Sequence, residues 1–175
     1  MPTQQTRYEI SPARWPEDTE QARTLLADYG HYLAANPSSK AGVCLVGYEA
    51  ELRSLPGKYA TAAADLLLAR VGGEAAGCVA ITQRVMTDGT EAAEMKRLWV
   101  APRFRGLGIG RGLVTAAIAW AGPRGCGAVV LDTVHEAMPE AAELYRSLGF
   151  TEISRFNENP VPGVRFFQLT IPITP

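Results

Sequence analysis

Cysteine and histidine are scarce in this 175-residue chain, which holds three of the first and two of the second. Cys44, Cys78 and Cys126 lie far apart and form no C-x-x-C pair, and His31 and His135 fall in no metal-ligand spacing. The chain is therefore expected to hold no disulfide and no metal, with its thiols as small buried side chains rather than nucleophiles. No window reaches the roughly 18 consecutive apolar residues of a membrane span. The opening Met-Pro-Thr-Gln-Gln-Thr-Arg-Tyr lacks the apolar core of a signal peptide, so a cytoplasmic location is expected, with no membrane partner. Charge of one sign is also missing: 17 Lys and Arg face 18 Asp and Glu, for a net charge of −1. That balance argues against a general nucleic-acid surface and favours a small molecule or a peptide as partner. There is no internal repeat and no low-complexity tract.

What is present suits one domain over residues 1–175, because 47% of the chain is hydrophobic and 20% charged. The most informative stretch runs from Glu94 to Arg111, Glu-Met-Lys-Arg-Leu-Trp-Val-Ala-Pro-Arg-Phe-Arg-Gly-Leu-Gly-Ile-Gly-Arg. It reads as a strand, a turn stopped by Pro102 and a glycine-rich run that opens a helix. Bare backbone N–H groups converging at the positive end of a helix make an anion site, so the ligand should carry phosphate. Spacing then separates the glycine-rich possibilities. Gly106, Gly108 and Gly110 alternate, which puts the third glycine one residue early for the dinucleotide pattern G-x-G-x-x-G. A P-loop would need lysine and then a hydroxyl after the last glycine, and Arg111-Gly112 supplies neither.

The remaining pattern, Arg105-x-x-Gly108-x-Gly110, resembles the [RQ]-x-x-G-x-[GA] segment that binds the coenzyme A pyrophosphate in the GCN5-related N-acetyltransferases. Met95 to Leu113 is similar to motif A of that family, and Ala141-x-x-Leu144-Tyr145-x-x-x-Gly149-Phe150 is similar to its motif B. The resemblance is strongest over Glu94 to Phe150, about a third of the chain.

The rest of the chain reads as alternating elements. Tyr8 to Ile10 is a short edge strand. Pro16 followed by Glu17, Asp18 and Glu20 signals a helix start, and Ala22, Leu25, Leu26, Tyr29 and Leu33 recur at helical spacing up to Asn36-Pro37. A second helix is expected at Leu45, Tyr48, Leu52 and Leu55, stopped by Pro56-Gly57. Leu66 to Val71, a glycine turn and Ala75 to Gln83 form a hairpin, and Thr87 to Thr90 turn the chain into the Glu94 strand. Ile109, Leu113, Ala116, Ala117 and Trp120 mark one helix face, and Gly122-Pro123 ends it. Ala128 to Leu131 reads as a strand buried on both sides and parallel to the preceding one. A helix from about Ala137 to Leu148 carries two stripes, Ala137, Ala141, Leu144 and Leu148 for the core, and Met138, Ala142 and Tyr145 for a ligand. Gly149 caps that helix, a strand follows near Ile153, and Val164 to Ile171 is the last strand. The sum is an α/β fold with a mixed sheet and helices on both faces.

The resemblance implies an acyl-CoA N-acyltransferase fold in which antiparallel N-terminal strands lead to a central, splayed parallel pair. The Glu94 strand would carry a bulge, and pantetheine would insert into the wedge beside it. By motif position the backbones of Leu98, Trp99 and Val100 would bind pantetheine, with the Leu98 N–H nearest the acetyl carbonyl. The amides of Arg105, Gly106, Leu107, Gly108, Ile109, Gly110 and Arg111 would hold the pyrophosphate. Met138, where many members have asparagine, Ala142 and Tyr145 would complete the cofactor site. Tyr145 would be the general acid for the departing thiolate, since a phenol stays protonated at neutral pH. Glu94 is either the base for the amine or an ion-pair partner of Lys96 or Arg97, and His135 is either an exposed base or a solvated loop residue.

The implied activity is transfer of acetyl from acetyl-CoA to a primary amine of a small molecule or peptide in a ternary complex. An acyl-CoA sensor without transfer, a longer acyl donor or a hydroxyl acceptor stay open as alternatives, as does a homodimer. Tyr48, Glu49, Tyr59 and the Leu-Pro-Gly turn are either acceptor contacts or structural. Arg155, Asn157, Asn159 and Arg165 would suit an acceptor carboxylate, and Glu49, Glu51 and Glu94 a cation, so the acceptor's charge is not decided by the sequence.

Overall fold

Gly72 and Gly73, both at positive φ, reverse the chain between two apolar runs, and the result is the hairpin of β2 (Ala64–Val71) and β3 (Glu74–Val85). The computed structural model describes residues 7–36, 47–134 and 138–172. The other strands are β1 (Tyr8–Pro12), β4 (Glu91–Val100), β5 (Ala128–Val134), β6 (Thr151–Ile153) and β7 (Val164–Thr170), and the helices are α1 (Thr19–Ala35), α2 (Tyr48–Arg53), α3 (Ile109–Ala121) and α4 (Pro139–Ser147). One sheet takes all seven strands in the order β1-β2-β3-β4-β5-β7-β6. β1 to β4 pair antiparallel, β4 and β5 parallel, and β7 lies antiparallel between β5 and β6.

β2 and β3 read as nearly continuous apolar runs because both of their faces are covered. Leu66, Leu68, Cys78 and Ala80 join Leu25 and Leu26 of α1 in one core. Leu67, Ala69, Val79 and Ile81 join Leu113, Val114 and Ala117 of α3 in the other. Helix α3 comes close to the sheet where side chains are missing. A Cβ on Gly77 would lie 3.2 Å from Leu113 Cδ1, and one on Gly112 would lie 2.7 Å from the Tyr8 hydroxyl. Cys78 and Cys126 are buried with free thiols, while Cys44 lies outside the described residues.

Three boundaries differ most from expectation. Helix α1 starts at Thr19, because the Asp18 carboxylate accepts the Arg14 amide at 2.6 Å and pairs with Arg70 at 2.7 Å, which ties residues 14–18 into a turn against the sheet. Helix α2 covers only Tyr48–Arg53, and Leu45 lies outside the described residues. β5 continues past Leu131 to Val134, since β7 pairs with it along its whole length.

Candidate active site

The site is opened by a bulge. Cys78 pairs with Trp99 and Ala80 with Lys96, so Val79 alone faces both Arg97 and Leu98. Arg97 has φ 60, the single positive value outside glycine among the described residues. An extra residue of this kind bends a strand and turns its later side chains to the opposite face. Trp99 accordingly packs into the α1 core, 6.1 Å from the ring of Tyr29, while Leu98 and Val100 turn toward α3. Beyond the bend the parallel partners separate. β4 and β5 are in register only at Ala92 with Ala128, Ala93 with Val129 and Glu94 with Val130. The rest of both strands forms the expected wedge.

Two cavities occupy that wedge and the head of α3. The outer one, about 580 Å³, is walled by Leu98, Trp99, Val100, Arg105, Gly106, Gly108, Ile109, Gly110 and Arg111 on one side and Met138, Ala141 and Leu144 on the other. Gly108 caps α3 in the left-handed region, with φ 79 and no side-chain hydrogen bond to the first turn. The N–H groups of that turn are thus left for a ligand, and the positive end of the helix dipole lies with them. Tyr8 donates its hydroxyl to the Gly108 carbonyl at 3.2 Å and steadies the turn from below. Two guanidinium groups flank it. Arg105 donates to the Val100 carbonyl at 3.2 Å and lies 5.0 Å from the Trp99 ring, and Arg111 donates to the Ser147 hydroxyl at 2.7 Å. Uncapped amides beside two arginines are a donor set suited to a diphosphate.

Two expected cofactor contacts are placed elsewhere. Ala142 is fully buried and lines neither cavity, whereas Ala141 and Leu144 reach the wall. The expected division of α4 into a core stripe and a ligand stripe is therefore reversed at these three residues, because Ala142 and Tyr145 together anchor the helix. Leu107 is exposed and off the cavity wall.

The inner cavity, about 450 Å³, meets the outer one at Leu98 and Met138, which line both. Glu94, Asp132, Tyr145, Asn157 and Asn159 are among its walls. Tyr145 packs its ring 5.7 Å from Phe150 and 6.4 Å from Phe167. Burial pushes its phenol well above the usual tyrosine range, so it is protonated throughout neutral pH. Glu94 forms ion pairs with Arg84 at 2.9 Å and Lys96 at 3.4 Å. Arg97, the other expected partner, pairs instead with Glu51 at 3.1 Å.

Sequence reasoning did not single out Asp132. It directly follows the apolar run Ala128 to Leu131 of β5, and a carboxylate at the end of a buried strand was the available signal. Its carboxylate accepts from the side-chain amides of Asn157 at 2.7 Å and Asn159 at 3.1 Å. Of the residues weighed for the acceptor, Asn157 and Asn159 line the cavity, while Arg155 donates to nearby backbone carbonyls and Arg165 pairs with Glu152 away from it. Tyr48 and Tyr59 are core residues, 4% and 2% exposed, and Glu49 pairs with Arg53 at the surface. None of these three lines either cavity. His135 lies outside the described residues. Among the described residues no group of three or more His, Cys, Asp and Glu could hold a metal, and no helix is long and apolar enough to cross a membrane.

Comparison with known proteins points the same way. Residues 9–150 match the acetyltransferase (GNAT) family. The chain is 32% identical over 161 residues to an uncharacterised N-acetyltransferase of Schizosaccharomyces pombe, an alignment covering 91% of this chain and 93% of that protein. An acetyltransferase of Staphylococcus aureus superposes with a TM-score of 0.70 at 17% identity, over 94% of this chain and 99% of that one. The Salmonella typhimurium protein yncA, solved with its cofactor acetyl-CoA, gives 0.62 at 21% identity over 93% of each chain.

Proposed function

The chain belongs to the acetyltransferase (GNAT) family, and on that premise we propose that it moves the acetyl group of acetyl-CoA directly to a primary amine of a small molecule or peptide within a ternary complex. Acetyl-CoA is its co-substrate. The observation that carries the reading is the meeting of two cavities at Leu98 and Met138, where β4 and β5 have parted. One cavity offers amides and guanidinium groups for phosphate, and the other offers carboxylates and a phenol for the chemistry.

Acetyl-CoA supplies an acyl group already activated as a thioester. The amides of Gly106 and of Gly108 to Arg111, with the two guanidinium groups, hold its diphosphate. The backbone of Leu98, Trp99 and Val100, left without a partner strand on the β5 side, binds the pantetheine arm. The Leu98 N–H then donates to the acetyl oxygen, where negative charge gathers as the amine attacks. A carbon–nitrogen bond forms, the carbon–sulfur bond breaks, and the proton released by the amine must end on the sulfur. Tyr145 lends its O–H to that sulfur. Since its raised pKa opposes lasting loss of the proton, the phenol passes its proton on only as the amine's proton replaces it. Glu94, paired with Arg84 and Lys96, takes through water the separate proton that an ammonium acceptor loses before it attacks.

The test combines donor binding with product formation. Acetyl-CoA should bind by calorimetry, and a panel of primary amines should release free coenzyme A thiol with a 42 Da gain in acceptor mass, about the mass of an added acetyl group. Arg105→Glu with Gly108→Trp should abolish binding. Unchanged donor binding in that double variant would sink the diphosphate assignment, and binding without thiol release across the panel would sink the transfer reading.

A further inference from the structure

The inner cavity carries a charge that no cation among the described residues balances. Three carboxylates on its wall, Glu94, Asp132 and Glu158, face three cations, Arg84, Lys96 and Arg97. The cations are already engaged. Arg97 is neutralised from outside the cavity by Glu51 at 3.1 Å, and its guanidinium carbon lies 4.7 Å from the Tyr48 ring. Arg84 is bound to Glu94 at 2.9 Å, donates to the Phe156 carbonyl at 3.3 Å and lies 4.8 Å from the Phe156 ring. Lys96 is also on Glu94. One negative charge is left in excess on the cavity wall. Asp132 is partnered only by the amides of Asn157 and Asn159, and among the described residues no cation pairs with it.

Two neutral amides hold a carboxylate in one orientation without satisfying its charge. Both amides donate to one oxygen, Oδ2, which leaves Oδ1 to accept from an incoming donor. Asp132 and Tyr145 line the same cavity, so a group docked on Asp132 shares it with the phenol proposed to face the thioester sulfur. An acceptor amine bound at Asp132 would therefore be beside the reacting centre. Most primary alkylamines reach an enzyme as ammonium ions, and the attacking species is made from the one that docks.

We propose that Asp132 is the docking carboxylate for the acceptor, and that this enzyme's acceptors are cationic alkylamines, recognised as ammonium ions by Asp132 within the inner cavity. Asn157 and Asn159 are its positioning residues: they aim the carboxylate and leave its charge uncancelled. Glu94, with two cations on it, is the weaker magnet. The assignment rests on the acetyltransferase reading for the acceptor's fate, but the docking itself is a binding event that can be measured without turnover.

The test titrates 1,4-diaminobutane, and separately its neutral counterpart 1,4-butanediol, into the protein loaded with coenzyme A. Wild type should bind the diamine more tightly than the diol, with an affinity that falls as salt rises. Asp132→Asn keeps the shape and one accepting oxygen for Asn157 and Asn159, and should weaken the diamine by about tenfold or more while leaving the diol and the acetyl-CoA dissociation constant unchanged. Equal diamine affinity in the two proteins overturns the proposal. So does a parallel loss for diamine, diol and acetyl-CoA, which would make Asp132 a structural residue. Acetyl transfer is then assayed on the same samples: diamine bound through Asp132 but never acetylated would uphold the docking site and refute the transferase reading alone.

Discussion

Arg97 and Glu51, 46 residues apart, form an ion pair of 3.1 Å that clamps the bulge of β4 to the short helix α2. Tyr59 adds its hydroxyl to the same carboxylate at 2.6 Å, and neither charged side chain is more than 17% exposed. The clamp sits on the residue immediately before Leu98, which lines both cavities. Its role is to hold a non-glycine residue in a left-handed conformation that would otherwise be unfavourable.

Glu51→Gln is expected to destabilise the protein by about 3 kcal/mol at neutral pH, since it leaves a largely buried guanidinium without its counter-charge. The effect depends on pH in a defined direction. Burial alone would raise the Glu51 carboxyl, but Arg97, by charge and hydrogen bond, and the Tyr59 hydroxyl outweigh it and hold the group below its ordinary value of 4.5. A carboxyl with a depressed folded pKa contributes stability that is complete above its unfolded value and lost as pH falls through the folded one. The gap between wild type and Glu51→Gln in urea unfolding should therefore be widest at neutral pH and shrink below pH 4.5. A gap that stays constant down to pH 3, roughly a unit below an ordinary carboxylate pKa, would show that the pair is not the source of the stability.

Two glycines near the site should respond differently to alanine. At Gly77 the added Cβ would meet the Trp99 carbonyl at 2.7 Å, a backbone atom next to the bulge that cannot swing away. Gly77→Ala should cost about 1–3 kcal/mol in unfolding free energy and weaken acetyl-CoA binding, because β4 must shift. At Gly106 nothing lies within 4 Å, and the strain comes only from its φ of +82. Gly106→Ala should cost about 1–2 kcal/mol and reduce donor affinity through the altered turn. Denaturant midpoints and calorimetry on both variants check the contrast; a Gly77→Ala protein as stable as wild type would mean that β3 and β4 do not approach as closely as described.

Tyr145→Phe should lower turnover about a hundredfold while leaving the acetyl-CoA dissociation constant within about twofold of wild type. The phenol is pushed up by burial first, with the Tyr29 and Asp132 charges adding to it, so it does not ionise in the assay range. Any fall in rate on the alkaline side of the pH profile must then come from another group, and should persist at the same pH in the residual activity of the variant. An alkaline limb that vanishes in Tyr145→Phe would contradict the buried, protonated phenol.

The legible part of the site was the part written in consecutive residues. Arg105-x-x-Gly108-x-Gly110 announces its own geometry, because glycines at those positions and a helix start directly after them create the amide cluster locally. Tyr145 was legible for a similar reason, being tied to Gly149 and Phe150 by one helix and its cap. Glu49 and Tyr59 showed only what residue type can do, and burial and pairing decided against both. Ala142 was misread because 3.6-residue periodicity identifies two stripes on α4 without saying which one meets the sheet. Asp132 was missed because its importance comes from Asn157 and Asn159, and no local pattern links a strand residue to amides 25 and 27 residues later.

By itself the sequence determined the alternation of strands and helices, the glycine turn at the head of α3 and the family to which its motifs point, because each is set by contacts within a few residues along the chain. Only the tertiary structure decided where β4 bends, which carboxylates pair with cations and which face of α4 lines the cavities. Those outcomes depend on one bulge residue and on ion pairs spanning tens of residues, such as Arg97 with Glu51, and long-range pairing leaves no periodic trace in a single sequence.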